Sequence, residues 1–535
     1  RLFGREENRP ERRVHRALGD RALDGVPPRD EAARAAREAL TGTEPVPCRA
    51  RLRQDRARAR SVVPESRHHL RLARDTCPRA GRSPSLRGRD ARRAVVLEAA
   101  VVMGVHLACV AWAARLGFYC ISDDDFARTT IAQGFAQEPK LDPSGTSWLP
   151  VPFYVAGIAM KLFGRSLLVA RWTSTILTTA SLGLFYVRAR PSSHERDARF
   201  PTAFTSRWSS LAAFLCLATF PWLVFSSGAP VPEGFTALWV GIALFSLTEP
   251  EARVVPSVLL LLATLSRYEA WSAALAFAIA RLVVSPSGSR AKSALLGALP
   301  LAGPLTWMAW NQRAHGDFMH FFARVSRFRG GFEQTSLEER ILQYPRAAWE
   351  AAPLLSLLFA VTVPLAWFVP KDARRMLLAP LVCALAMAAV LIYGNVKDGA
   401  PTHHAVRALL PMFATVIPSA IACSVHITKR IANERLGYKT WGVGLASFAL
   451  LYGAGLLPAN FRAFPGRDEA PSRRALVLRG RELQGVPRLS VRPCAYEHFA
   501  LIAGYEAPER VTILPKAPPN ETASCPEVSE ATTPP

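Results

Sequence analysis

From Ala94 to about Leu457 the chain is a succession of apolar runs separated by short polar stretches. Each run is roughly 20 residues long, the length a helix needs to cross about 30 Å of hydrocarbon. Buried helices of soluble proteins are usually shorter and more charged. The pattern implies an all-α polytopic membrane protein, because lipid tolerates only backbone whose hydrogen bonds close within the segment. Eleven spans are expected, near 94–117, 166–187, 208–226, 233–248, 253–266, 268–285, 293–311, 347–369, 376–394, 406–427 and 439–457. The short pair at 233–266 also fits a hairpin of half-helices.

The net charge of +24 first suggests a nucleic-acid partner. The distribution of the charge argues for topology instead. Residues 1–93 are dense in Arg and contain no Lys. They read as a disordered extension or as sequence translated upstream of the true start. Arg and Lys then cluster in 188–207, 286–292, 370–375 and 428–439. Under the positive-inside rule these loops and the N-terminus are cytoplasmic. The segments 118–165, 312–346 and 395–405, with the tail from 458, face out. Of nine cysteines, Cys109, Cys216, Cys383 and Cys423 lie in apolar runs, and no spacing suits a zinc site. Cys494 and Cys525 of the tail are a candidate pair in an oxidising compartment.

The outer segments carry the chemistry. The first holds Asp123-Asp124-Asp125 and runs on to Trp148. Three adjacent carboxylates repel one another, which raises at least one pKa unless a cation is near, and suits a general base or a metal ligand. Ser122 capping a helix with acids in its first turn is the plain structural alternative. Trp148 reads as an interfacial anchor. Arg267 and Glu269 interrupt an apolar stretch and must lie at the outer surface or line a polar cavity. His320, Arg324 and Arg327 fall on one helical face, either solvated or set against lipid phosphate. His403, His404 and Arg407 stand where the chain re-enters the membrane, suited to phosphate. The tail has two strand-like runs, Leu476–Leu478 and Val511–Leu514.

Over roughly 94–460 the sequence resembles the GT-C superfamily of membrane glycosyltransferases, especially bacterial relatives of the family 39 protein mannosyltransferases and the aminoarabinose transferases. The resemblance rests on Asp123-Asp124-Asp125-Phe126-Ala127 after the first span and on Ser147-Trp148-Leu149-Pro150. It also rests on Gly164-Arg165-Ser166 with Ala170-Arg171, on Arg267-Tyr268-Glu269 and on the His403/His404/Arg407 segment. It implies a GT-C-like bundle with outer-loop helices in the bacterial inner membrane, an active site on the periplasmic or extracellular side, and an inverting transfer from a polyprenyl-phosphate-linked sugar. The acceptor is left open among lipid, protein and glycan. An Asp of the first outer loop serves such enzymes as base or metal ligand. Here Asp124 is the first choice, Asp123 the second, and Asp125 stays in the set. A divalent cation, Mg or Mn, would sit on Asp123 and Asp124. Arg267, His403, His404 and Arg407 are expected at the donor phosphate, and Trp148, Glu269, His320 and Arg324 along the substrate loop. The competing readings are a transporter or flippase for an amphipathic anion, and a non-catalytic membrane scaffold.

Overall fold

The structure is a computed structural model that describes residues 84–145, 147–190, 207–249, 252–329, 336–368, 371–397, 405–431, 465–493, 495–515 and 526–530. The described residues belong to one compact unit, Ser83–Pro535. The expected span at 439–457, His403, His404, Cys494 and Cys525 lie outside the described residues.

The unit opens with α1 (Pro84–Arg115), α2 (Asp124–Gln137), α3 (Val151–Phe163) and α4 (Leu167–Ala189). It continues through α5 (Arg207–Ala218), α6 (Pro221–Gly228), α7 (Glu233–Phe245), α8 (Val254–Thr264) and α9 (Glu269–Val284). Then come α10 (Arg290–Ala298), α11 (Ala302–His315), α12 (His320–Arg329), α13 (Leu337–Ala351), α14 (Pro353–Leu365), α15 (Lys371–Val396) and α16 (Ala405–Ile431). The tail folds as α17 (Ala470–Glu482), β1 (Leu489–Arg492), α18 (His498–Tyr505), β2 (Val511–Ile513) and β3 (Glu527–Glu530).

Three described helical segments are long and apolar enough to cross a membrane: Arg93–Arg115, Leu378–Val396 and Ala405–Val425. The pair α5 and α6 adds a fourth if it counts as one span bent by 56°. The bend replaces the continuous helix expected at 208–226. Pro221 lacks the N–H that would continue the helix. At the break the Ala218 carbonyl accepts from His106 Nδ1 on α1 at 2.9 Å.

The remaining apolar helices are shorter than a bilayer requires, and their setting explains why that is tolerated. Every residue of α7 is buried, so this helix meets protein rather than lipid. Its two sides share the main clusters. Leu238, Ile242 and Phe245 pack with α1, α4, α5 and α16, while Val240, Ala243 and Leu244 pack with α8, α9 and α15. The outward faces of α1, α4, α8 and α9 expose Leu97, Trp112, Trp172, Ile176, Val254, Ile279 and Val283. Such a belt is an apolar surface suited to lipid chains. The expected span 347–369 is divided at Pro353. The helix before the division, α13, is amphipathic and starts on a capping box, Ser336 with Glu339.

The tail carries a three-stranded sheet of order β2-β1-β3, with β1 parallel to β2 and antiparallel to β3. Leu489, Val491, Leu501 and Tyr505 form its core. The strand-like run Leu476–Leu478 lies instead inside α17. Its Val477 is buried against α18, whereas Val511–Ile513 is a strand as its sequence suggests.

Candidate active site

The first turn of α2 carries Asp124 and Asp125, α7 begins with Glu233, α9 begins with Glu269, and α16 carries Arg407 in its first turn. These helix starts converge at one end of the bundle. Carboxylates are favoured there by the positive end of the helix dipole. Arg407 is not, and it is held in place by the acids around it.

Glu233 is the hub. One of its oxygens, Oε1, accepts from Arg267 Nη1 at 2.8 Å and from Arg407 Nη2 at 2.6 Å and Nε at 3.0 Å. Arg267 also donates to Glu269 from Nε at 3.1 Å and from Nη2 at 2.5 Å. Arg407 Nη1 lies 3.3 Å from Asp124 Oδ2 and 3.4 Å from the Ser122 hydroxyl. The guanidiniums of Arg267 and Arg407 are therefore engaged by three carboxylates, of which Glu233 and Glu269 are buried with them. Charges at that depth persist only when paired and hydrogen-bonded.

The three consecutive acids have three different surroundings. Asp123 receives a bidentate grip from Arg473 of α17, at 2.6 and 3.0 Å. Asp125 is 1% exposed and accepts the Ile121 N–H at 2.7 Å. Burial pushes its carboxyl up to about 7, against the pull of Arg407 and of that hydrogen bond. Asp124 retains a side chain 37% exposed, and so is the most open of the three to a reacting partner. Ser122 is not the helix cap. Asp123 occupies that position without a side-chain capping bond, and the Ser122 hydroxyl faces Arg407.

Among the described residues no three of His, Cys, Asp and Glu gather as a metal site. Both oxygens of Asp123 are turned to Arg473, and Asp124 to Arg407. This donor set suits guanidinium.

Of the substrate-loop residues, Glu269 belongs to the network and Trp148 flanks it. The Trp148 ring stacks near Phe153 and carries the Arg128 guanidinium 4.4 Å from its centroid. Arg324 donates to the Gly145 carbonyl at 3.1 Å, tying α12 to the acidic loop. Tyr268 donates to the Ser147 carbonyl at 2.5 Å and stacks on Phe321 of α12. His320 stands apart, stacked on His315 at 4.0 Å.

Three members of the site were not singled out from the sequence. Glu233 had a signal: a lone carboxylate opening a wholly apolar helix after Pro230-Val231-Pro232. Arg128 lies within the acidic segment, but nothing in its spacing marks it. Arg473 meets Asp123 across 350 residues, a pairing with no local signature.

A small cleft opens beside the network between α2, α3, α4 and the Pro230–Pro232 turn, lined by Arg128, Phe153, Ala156, Ser174 and Phe235. Arg128 is 6% exposed. Burial presses its guanidinium down to about 10, against the attraction of Glu233 and Asp124.

No protein-family model matches the sequence, and no curated protein matches it. Solved structures do. A structure of ArnT from Cupriavidus metallidurans bound to undecaprenyl phosphate matches with a TM-score of 0.45 and 15% identity, over 78% of this chain and 76% of that one. The same protein in the apo state gives 0.42 and 14% over the same shares. The archaeal oligosaccharyltransferase AglB from Archaeoglobus fulgidus, in complex with an inhibitory peptide and a dolichol-phosphate, gives 0.38 and 14% over 70% of this chain and 58% of that chain.

Proposed function

We propose that the chain is an integral membrane glycosyltransferase that moves a sugar from a polyprenyl-phosphate donor to an acceptor on the outer face of the membrane, with inversion. One observation carries the reading. Asp124, Glu233, Arg267, Glu269 and Arg407, drawn from four separate stretches of sequence, form one connected network at one end of the bundle. A scaffold gains little from burying so many charges, since well-packed apolar residues would serve stability as well. A transporter would more often place such groups at mid-membrane, between related halves.

In this reading Asp124 takes the proton from an acceptor hydroxyl or amine. The freed electron pair attacks the anomeric carbon, and the bond from that carbon to the lipid phosphate breaks with its electrons on the phosphate oxygen. Arg407 holds Asp124 in place. Asp123 is fixed by Arg473, and Asp125, buried and readily protonated, props the loop through Ile121. The donor belongs to the class of the undecaprenyl and dolichol phosphates in the ArnT and AglB structures.

The test is sugar transfer from a polyprenyl-phosphate donor in membranes containing the protein. Asp124→Asn is expected to lower transfer by at least about 100-fold, the scale of a lost general base, with unchanged membrane insertion. Full transfer by that variant would remove Asp124 from the mechanism, and no transfer by the wild-type chain would end the proposal.

A further inference from the structure

Asp123 occupies the position from which a side chain ordinarily caps a helix, yet it makes no capping bond to α2. Its two oxygens go instead to Arg473 of α17, at 2.6 and 3.0 Å. The pair is largely shielded from water, the side chains being 20% and 15% exposed. A planar fork on a carboxylate fixes direction as well as distance.

The tail continues this grip along α2. Phe126, in the first turn, packs against Val477, Ala500 and Ala503. Two turns on, the buried Gln133 donates to the Ala503 carbonyl at 2.9 Å. Next to Arg473, Arg474 lies 5.3 Å from the centroid of the Tyr119 ring, just before the acidic loop. Contacts at successive levels of one helix fix its rotation as well as its place. Asp124 directly follows Asp123, and its carboxylate meets Arg407 at 3.3 Å. Any rotation of the start of α2 carries that carboxylate away from Arg407.

A divalent cation on Asp123 and Asp124 was the expectation from the sequence. The two carboxylates are engaged instead by guanidiniums from two different helices, Arg473 of α17 and Arg407 of α16. A divalent cation on Asp123 would bring its charge against that of Arg473.

We propose that Arg473 is a positioning residue of the transfer site. Its guanidinium takes on Asp123 the place of a divalent cation, and it sets the start of α2 so that Asp124 stands ready beside Arg407. The proposal rests on the transferase reading and adds to it that the tail completes the site and that transfer needs no divalent cation.

The test uses the purified full chain in detergent. Transfer by the wild type is expected to survive EDTA unchanged, and titration with Mn(II), followed by electron paramagnetic resonance, should show no saturable site that depends on Asp123. Arg473→Gln should lower kcat by at least about tenfold, the scale on which a misplaced reacting group acts, with an unchanged KM for the lipid donor. Arg473→Lys should recover part of the loss. Glu509→Gln, which breaks the tail's ion pair with Arg165, should keep the wild-type kcat. Asp123→Asn should match Arg473→Gln, and the double variant should be no slower than either, because both remove one interaction. Losses that multiply in the double variant overturn the proposal, as does a wild-type Mn(II) site that Asp123→Asn abolishes, or wild-type transfer that EDTA stops and Mn(II) restores. Should Arg473→Gln fail to fold, Asp123→Asn probes the pair from its other side, and a wild-type kcat there overturns the proposal.

The two readings fail separately. No transfer by the wild type ends the transferase and with it the role of Arg473 in the reaction, whatever Mn(II) does. Transfer by a folded Arg473→Gln at the wild-type kcat defeats the positioning role and leaves the transferase.

Discussion

Glu233 is the side chain whose replacement disturbs the most charge. Its single oxygen Oε1 holds both Arg267 and Arg407, and its side chain is 1% exposed. Glu233→Gln keeps an acceptor of the same shape but removes the charge that the two guanidiniums share. Breaking a buried pair from one side costs about 3–5 kcal/mol. The variant should melt clearly below the wild type in detergent. Glu138→Gln, which breaks an exposed pair with Lys140, should melt unchanged. Equal melting of the two variants would show that Glu233 is not the hub. Asp125 gives a pH dependence with a definite sign. Its carboxyl lies near 7 in the fold against an ordinary value of 3.8. Between those values the folded protein binds a proton that the unfolded chain has released, so this residue's contribution is full below about pH 4 and is lost as the pH rises through 7. Asp125→Asn removes the titration, and unfolding measured across pH 4 to 8 should show a flatter profile than the wild type. An unchanged slope would mean that Asp125 titrates as an ordinary surface acid. At this scale the sequence was partly legible. The acidic triplet, Arg267, Glu269 and Arg407 announce themselves as charges interrupting apolar runs. Which Asp is open, which is gripped and which is buried depends on Arg473 and Ile121, and no spacing reports that.

At the scale of elements, what was readable follows from period and length. The apolar runs near 166–187 and 406–427 are helices within a few residues of the expected bounds, and the run near 94–117 lies in a helix that begins earlier, at Pro84. Breaks were harder to read. Pro221 divides the run at 208–226, but Pro380, Pro411 and Pro418 stand inside helices that continue. In the tail, Leu476–Leu478 is too short a run to distinguish strand from helix, and the partner that makes it helical, α18, lies beyond the intervening strand. The crossing of α17 and α18 depends on two glycines. A Cβ on Gly480 would lie 2.8 Å from the Tyr505 nitrogen, and one on Gly504 would lie 2.9 Å from the Val477 Cα. Backbone cannot yield as a flexible side chain does, so Gly504→Ala should force the helices apart at a cost of about 1–3 kcal/mol. Limited proteolysis should then cut the tail faster in the variant. Because Ala503 and Val477 also cover Phe126 of α2, transfer should fall as well. A variant as resistant and as active as the wild type would show that the close crossing is not needed.

For the whole molecule, the two ends of the bundle differ in charge. One end of the bundle carries the Asp124–Glu233–Arg267–Arg407 network. At the end where α1 and α5 begin and α4 finishes, Glu98 is bonded by Arg190, Arg207 and Tyr186, and Glu249 by Arg188 and Arg253. Arg290 and Lys292 follow α9 at this same end. Here acids are outnumbered by arginines, as the positive-inside rule asks of the cytoplasmic side. The sequence already set the tail on the same side as the acidic loop; what it could not convey is which residues hold it there. Gln133 donates to the Ala503 carbonyl, Arg165 pairs with Glu509, and Arg473 grips Asp123, each contact spanning more than 300 residues. The tail must therefore lie on the same side of the membrane as the acidic network. Cysteine accessibility decides which side that is. The nine native cysteines are replaced by Ser, and single cysteines are placed at Lys140, exposed beyond α2, or at Lys292, exposed on α10. In intact cells a membrane-impermeant maleimide is expected to label Lys140→Cys and to spare Lys292→Cys, which should react only after permeabilisation. The reverse pattern would place Asp124 in the cytoplasm, where an acceptor on the outer face cannot reach it, and the proposed direction of transfer would fall with it.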